Sequence, residues 1–469
     1  NDLLNIIILI TLFSLTFHHQ SKSSDGIGVI LIFLLFLSPL YWLWRHAHYD
    51  TSVIAGILPI GDPLQYYGDA LRLHYGFPLS TLSSRRPLFI GFLSVILELT
   101  NDNLQITLII LALLVTLAVA LLAIELKKTF GATTAIIVVL IVYYCYKGHG
   151  YIGKTYTEQL GLLLGTLSLV LFIQGIRLKK DTHLLLGLLA LTLALNARAG
   201  AFFMIPAIII WKAFDNENHH FSLRQFGLFS LIAFLGFLLN FLVLKVIGNS
   251  QGVPFENLGS TMYGLVTGYR GWTSLFIDHP NIRDADAWPY IFAALQQHPE
   301  NFFLGILRAY ADFFTPNTMF QFLYFSPGPQ KASAYFLYAC SLIGLIRLFH
   351  MPGKNKFFFL FSLGGIFMSI PFVPPSDVGI RALTATIPFF ALLPAITFSK
   401  IPQLNTQQII HNKKQIFILG FTLAILTLII LGPLLIWVYA EPPAKISNIV
   451  CPQDTTPVSM WVKPGVFFN

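Results

Sequence analysis

The chain is 469 residues long, 55% hydrophobic and only 11% charged, with a mean hydropathy of +0.70. Soluble domains carry about 25% charged residues, so a soluble multidomain protein is excluded. The formal net charge of +8 does not point to nucleic acid, because the basic residues cluster between apolar runs, where they set membrane topology.

A bilayer crossing takes about 20 apolar residues, within a range of roughly 17 to 25. In chain order the candidate spans are 3–17, 26–44, 104–126, 132–146, 159–176, 184–196, 201–214, 226–246, 332–348, 357–373, 382–398 and 416–440. The first is short, and His18-His19-Gln20 after it reads as the end of an anchor rather than a cleavage site. The stretch Pro87–Leu99 is too short to cross alone and reads as re-entrant or interfacial. The fold class expected is therefore all-α: a polytopic transmembrane helical bundle of about 11–13 spans.

Lysine and arginine bias then orients the bundle. One set of short loops holds Lys22, Lys127, Lys128, Arg177, Lys179, Lys180, Lys212, Arg224, Arg347, Lys354, Lys356, Lys400, Lys413 and Lys414. The opposite set holds only Lys147, Lys154, Arg198 and Arg381. The first set is assigned to the cytoplasm. Two long loops, about 45–103 and 248–331, then face the other side, as does a Pro-rich polar tail, 441–469, leaving 1–440 as one membrane domain. Within the loops, 64–75 suits a helix lying at the interface, and 287–314 suits one or two amphipathic helices broken near His298-Pro299. Long loops in a compact protein are usually functional. Cys145, Cys340 and Cys451 make no disulfide framework; the first two lie in apolar spans and read as packing residues.

The chemistry-bearing residues gather on that outer side. Asp62, in Gly61-Asp62-Pro63-Leu64-Gln65-Tyr66, can serve as a general base on an acceptor hydroxyl or amine. It can equally cap a helix with proline at the first turn, and the two roles are compatible. Asp69 lies seven residues on, about two helical turns, so it could share the face of Asp62. Arg85-Arg86-Pro87 can hold a phosphate bidentately, or anchor by snorkelling. His46, His48 and Asp50 alternate as ligands on one side of a strand would, and are the weak candidates for a divalent metal ion. Glu158 enters a span, where a carboxylate is expensive without a partner, though the helix N-terminus favours it. Arg198 sits between two apolar spans. Asp377 and Arg381 are four apart and could pair on one helical face. In Gly268-Tyr269-Arg270-Gly271-Trp272 the aromatic rings could stack on a sugar and Arg270 could meet a phosphate; an interfacial aromatic loop is the alternative.

In their order these features resemble the GT-C class of polytopic glycosyltransferases, in particular the protein O-mannosyltransferase and lipid A aminoarabinose transferase family. The matching stretches are 61–76, 85–87, 156–161, 193–200, 263–272, 298–314 and 377–388. They cover most of the chain through short, degenerate motifs. The resemblance implies transfer of a sugar from a polyprenyl-phosphate donor to a glycan, lipid or protein acceptor on the non-cytoplasmic face, by inverting displacement. Asp62, with Asp69 as the second acid, would be catalytic. Tyr66, Arg85, Arg86, Glu158, Arg198, Arg270, Trp272, Asp377 and Arg381 would bind substrate. Pro63 departs from relatives in which a second acid follows the first directly. The rival readings are a flippase of lipid-linked sugars and an O-antigen ligase or polymerase. The partners expected are donor, acceptor and membrane lipids, and no nucleic acid.

Overall fold

The computed structural model describes residues 2–19, 21–49, 52–148, 151–215, 220–249, 252, 257–315, 330–351, 355–373, 379–399 and 413–440. Asp50, Asp377, Cys451 and the tail 441–469 lie outside them. The described chain is helical almost throughout. Helices α1 (Asp2–His18) and α2 (Lys22–Arg45) lead into a two-stranded antiparallel hairpin, Val53–Ile54 against Leu58–Pro59. Then come α3 (Asp62–His74), α4 (Thr81–Ser84), α5 (Pro87–Leu99), α6 (Leu104–Phe130), α7 (Ala132–Gly148), α8 (Glu158–Leu178), α9 (Asp181–Ala197), α10 (Met204–Phe214) and α11 (Leu223–Ile247). The second long loop folds as α12 (Leu258–Val266), α13 (Ser274–Asp278), α14 (Trp288–Gln297) and α15 (Pro299–Phe313). The chain closes with α16 (Gln330–Phe349), α17 (Asn355–Ser369), a 3-10 segment Gly379–Thr386, α18 (Ile387–Ile396) and α19 (Lys413–Tyr439).

Among the described residues, six helices are long and apolar enough to cross a bilayer: α2, α6, α8, α11, α17 with its 3-10 extension, and α19. The chain is an integral membrane protein. Seven shorter apolar helices stand beside them. The expected 382–398 span is one of these, because residues 382–386 wind as 3-10 and the α-helix that follows runs only from Ile387 to Ile396. Helix α5 is not a surface helix at an interface: residues 87–97 are all buried, against α3, α11 and α19. Helix α8 is apolar almost all round and buried from Glu158 to Gly175, as befits the centre of a bundle.

The charges separate to two ends of this bundle. At one end Lys127 pairs with Asp25 at 2.7 Å, Arg177 with Glu125 at 2.6 Å, and Lys212 with Asp181 at 3.0 Å. These join the end of α6 to the start of α2, the end of α8 to the same α6, and the end of α10 to the start of α9. At the other end stands Glu158, the first residue of α8, about 30 Å away along a 21-residue helix. Two glycines shape that second end. A Cβ at Gly165 would lie 1.8 Å from the Ala385 carbonyl oxygen, and one at Gly200 2.0 Å from that of Ala382. Glycine therefore lets the 3-10 segment rest directly on α8 and on the turn after α9, which carries Arg381 over the α8 N-terminus.

Candidate functional site

A cavity of about 730 Å³ opens at that second end. Asp62, Tyr66, Arg85, Arg86, Arg198, Trp272 and Arg381 all line it. Residues spread over more than 300 positions of sequence are thus brought together.

Asp62 is the first residue of α3 rather than its cap. Gly61 takes the cap position at φ 64°, with no side-chain cap bond, and Pro63 fills the first turn. The carboxylate is therefore left to the cavity, 54% exposed, with Arg381 Nη2 3.9 Å away. The Thr155 hydroxyl donates to the Pro63 carbonyl at 2.7 Å and fixes the start of the helix. One turn on, Tyr66 presents a buried phenol to the same space; burial, and then the Asp62 carboxylate, push its pKa up. Asp69 does not reach the cavity lining. It is 2% exposed and holds the loop after α3: it accepts from the Ser80 hydroxyl, from Ser80 N at 3.3 Å, and from Arg72 Nη1 at 3.2 Å.

The Arg85-Arg86-Pro87 motif is the joint between α4 and α5. A residue before proline is driven out of helical geometry, and proline is tolerated at a helix start; Arg86 accordingly sits at φ −138°, ψ 52°, and Pro87 begins α5. Arg85 Nη1 donates to Asn257 Oδ1 at 2.6 Å, linking this joint to the second loop. Arg86 is buried and donates from Nη1 to the Arg85 carbonyl at 2.8 Å. Burial first, and the Arg198 guanidinium next, pull its pKa down to about 10.

Glu158 is fully buried just behind the lining. It accepts from Arg381 Nε, lies 3.4 Å from Arg198 Nε, and takes the Thr157 hydroxyl at 3.1 Å. Its place at the start of α8 and that of Arg198 at the end of the antiparallel α9 both suit the helix dipoles. Arg381 also lies over the Tyr156 ring at 4.4 Å. Among the described residues Arg381 thus pairs with Glu158 and Asp62; Asp377, four positions before it, lies outside them.

Other expected residues fall elsewhere. Arg270 makes an exposed pair with Asp278 at 2.6 Å and does not line the cavity. His46 and His48 stand in a turn rather than a strand, with Ala47 at φ 45°, and both rings pack on Trp42. Among the described residues no group of three His, Cys, Asp or Glu side chains could hold a metal. The cavity itself offers a cation one carboxylate against four guanidiniums. The described lining residues therefore do not fit a divalent ion.

Sequence reasoning missed the apolar wall of Phe202, Phe203, Phe237, Phe372 and Val373, and the second-loop residues Asn257, Thr261 and Trp288. Single phenylalanines in apolar spans carry no signal of their own. Trp288, opening an amphipathic helix, could have been found.

No family model matches the chain, and no curated protein matches it. Among solved structures the fold is similar to the Archaeoglobus fulgidus oligosaccharyltransferase, determined in complex with Zn and sulfate, at 13% identity and a TM-score of 0.43. The match covers 88% of this chain and 54% of the other, so the chain spans about half the length of that neighbour. At that level the likeness carries no functional weight.

Proposed function

We propose that this protein is an inverting membrane glycosyltransferase of GT-C type, using a polyprenyl-phosphate sugar on the non-cytoplasmic face. One observation carries the reading: a single cavity sets a half-exposed carboxylate beside four arginines, against a wall of phenylalanines. A lipid tail would lie along Phe203, Phe237 and Phe372. The phosphate would meet Arg85, Arg86 and Arg198, where guanidinium forks and the N-terminal end of α5 favour an anion. Asp62 would take the proton of the acceptor hydroxyl or amine as that group attacks the anomeric carbon. The bond from that carbon to the phosphate oxygen breaks with inversion, and the arginines hold the departing charge. Arg381, gripped by Glu158, orients Asp62.

A flippase places polar groups near mid-membrane, whereas these charges stand at the two ends of the bundle. A ligase or polymerase would rest on late-loop basic residues; Arg381 is one, yet it shares its cavity with Asp62 from the first loop. The test is purified protein in nanodiscs, given radiolabelled polyprenyl-phosphate sugars and membrane extract as acceptor, with sugar release from the lipid as readout. Turnover of a donor is expected. Failure with every donor, together with movement of labelled lipid in a flipping assay, would replace the reading by transport.

A further inference from the structure

The walls of the cavity differ in chemistry. The bundle side carries the charged groups, Asp62 and four arginines, and an apolar stretch of Phe202, Phe203, Phe237, Phe372 and Val373. The other side belongs to helices α12 to α15, which have a small core of their own in Tyr263, Val266, Leu275, Ala287 and Ile291. It presents Asn257, Leu258, Thr261, Met262, Trp272 and Trp288, none of them charged. The two indoles remain 36% and 42% exposed.

Helices α12 to α15 form a cap over the cavity, and hydrogen bonds fix the backbone turns that carry both tryptophans. Trp272 follows a turn with Gly268, Tyr269 and Gly271 at φ 88°, 68° and 93°. The Tyr269 hydroxyl fixes that turn on Asp312 at 3.0 Å, and Arg308 holds the Gly268 carbonyl at 2.8 Å. Trp288 follows the 3-10 turn of Asp284, whose carboxylate accepts the Ser260 N–H at 2.9 Å and ties α14 to α12. The polar groups between them are biased too. Asn257 Oδ1 is engaged by Arg85, which leaves the amide N–H groups as donors. The Thr261 hydroxyl donates to the Asn257 carbonyl at 2.8 Å, which leaves its lone pairs to accept.

We propose that this cap wall is a platform for a neutral sugar ring, and that the acceptor is therefore a glycan. The assignment rests on the transferase reading above. A pyranose offers an apolar C–H face, which suits the electron-rich face of an indole, and a rim of hydroxyls that both donate and accept, as Asn257 and Thr261 require. A lipid acceptor would be served by the phenylalanine wall alone. An extended peptide would need a row of main-chain partners, and among the described residues the strands are a single hairpin of two residues each.

Saturation-transfer NMR on the full chain in nanodiscs, with no donor present, tests this. The probes are a panel of neutral di- and trisaccharides, Ser/Thr- and Asn-containing hexapeptides, and a short-chain diacylglycerol. Saturation of sugar ring protons is expected, weakened at least tenfold in Trp272→Ala and Trp288→Ala and retained in Trp288→Phe. Saturation of peptide or lipid alone, of no probe, or of sugar indifferent to both tryptophans would overturn the proposal. Where alanine variants unfold, the comparison of probes on wild type decides by itself. Glycan binding without donor turnover would sink the transferase reading while leaving the platform standing.

Discussion

Exchanging Glu158 for glutamine removes one charge from the most closely buried ion cluster at the cavity. The carboxylate is 0% exposed, and its partners Arg198 and Arg381 are only 13% and 27% exposed. Breaking a buried pair by removing one partner costs about 3–5 kcal/mol, because the other charge stays buried without compensation. Glutamine keeps the volume and one acceptor oxygen, and Asp62 at 3.9 Å offers Arg381 a second carboxylate. The loss should therefore fall near the lower end, about 3 kcal/mol. With an unfolding entropy near 2.1 cal/mol/K per residue, that is a fall of about 3 °C in melting midpoint for a chain of this length. Thermal scans in detergent measure it. The cause is isolated by Arg198→Met alone and together with Glu158→Gln: the double variant should lose less than the sum of the singles. A midpoint unchanged by Glu158→Gln, or strict additivity, would refute the claim that this cluster holds the arginines in place.

Other outcomes follow from the same geometry. His74 faces acceptors from both ring nitrogens: Asp102 at 3.2 Å and Glu98 at 3.5 Å on Nδ1, and the Ser94 carbonyl at 3.0 Å on Nε2. Burial lowers its pKa, but the Asp102 and Ser94 bonds and the charges of Asp102 and Glu98 outweigh it and raise the value above 6.5. The stability His74 supplies should be complete below pH 6.5 and lost as pH rises through the raised folded value; His74→Gln should flatten that slope in a melting-point titration. Gly165→Ala should misplace the 3-10 segment, given the 1.8 Å approach to Ala385, and lower both the melting midpoint and turnover. Arg86→Lys should make donor binding fall away at mildly alkaline pH in a binding titration. The site already pulls arginine to about 10, and a lysine begins lower. Wild-type binding should hold over that range.

Much of this was legible in the residues. Apolar runs locate nearly every helix, and the break at His298-Pro299 separates α14 from α15 as expected. Asp62, Tyr66, Arg85, Arg86, Arg198, Trp272 and Arg381 meet in one cavity because helix ends on one side of a bundle must be neighbours. What failed was local arithmetic standing in for tertiary contact. A seven-residue spacing put Asp69 on the face of Asp62, but Ser80 and Arg72 claim it. The pairing read from four-residue spacing lies outside the described residues at Asp377, while the 3-10 winding and two glycines bring Arg381 onto Glu158, a contact 223 positions apart that spacing could not show. Alternation suggested a strand at His46 and His48, but Trp42 stacks both rings in a turn.

The central claim of the proposed mechanism is that Asp62 removes the acceptor's proton. The direct measurement compares wild type with Asp62→Asn in nanodiscs, following label release from a polyprenyl-phosphate sugar and, separately, binding of that donor. The expected result is release reduced at least a hundredfold, the usual worth of a positioned base, with donor affinity within about threefold of wild type, since the phosphate rests on arginines. Release that survives the substitution, or is lost only along with donor binding, would contradict the account.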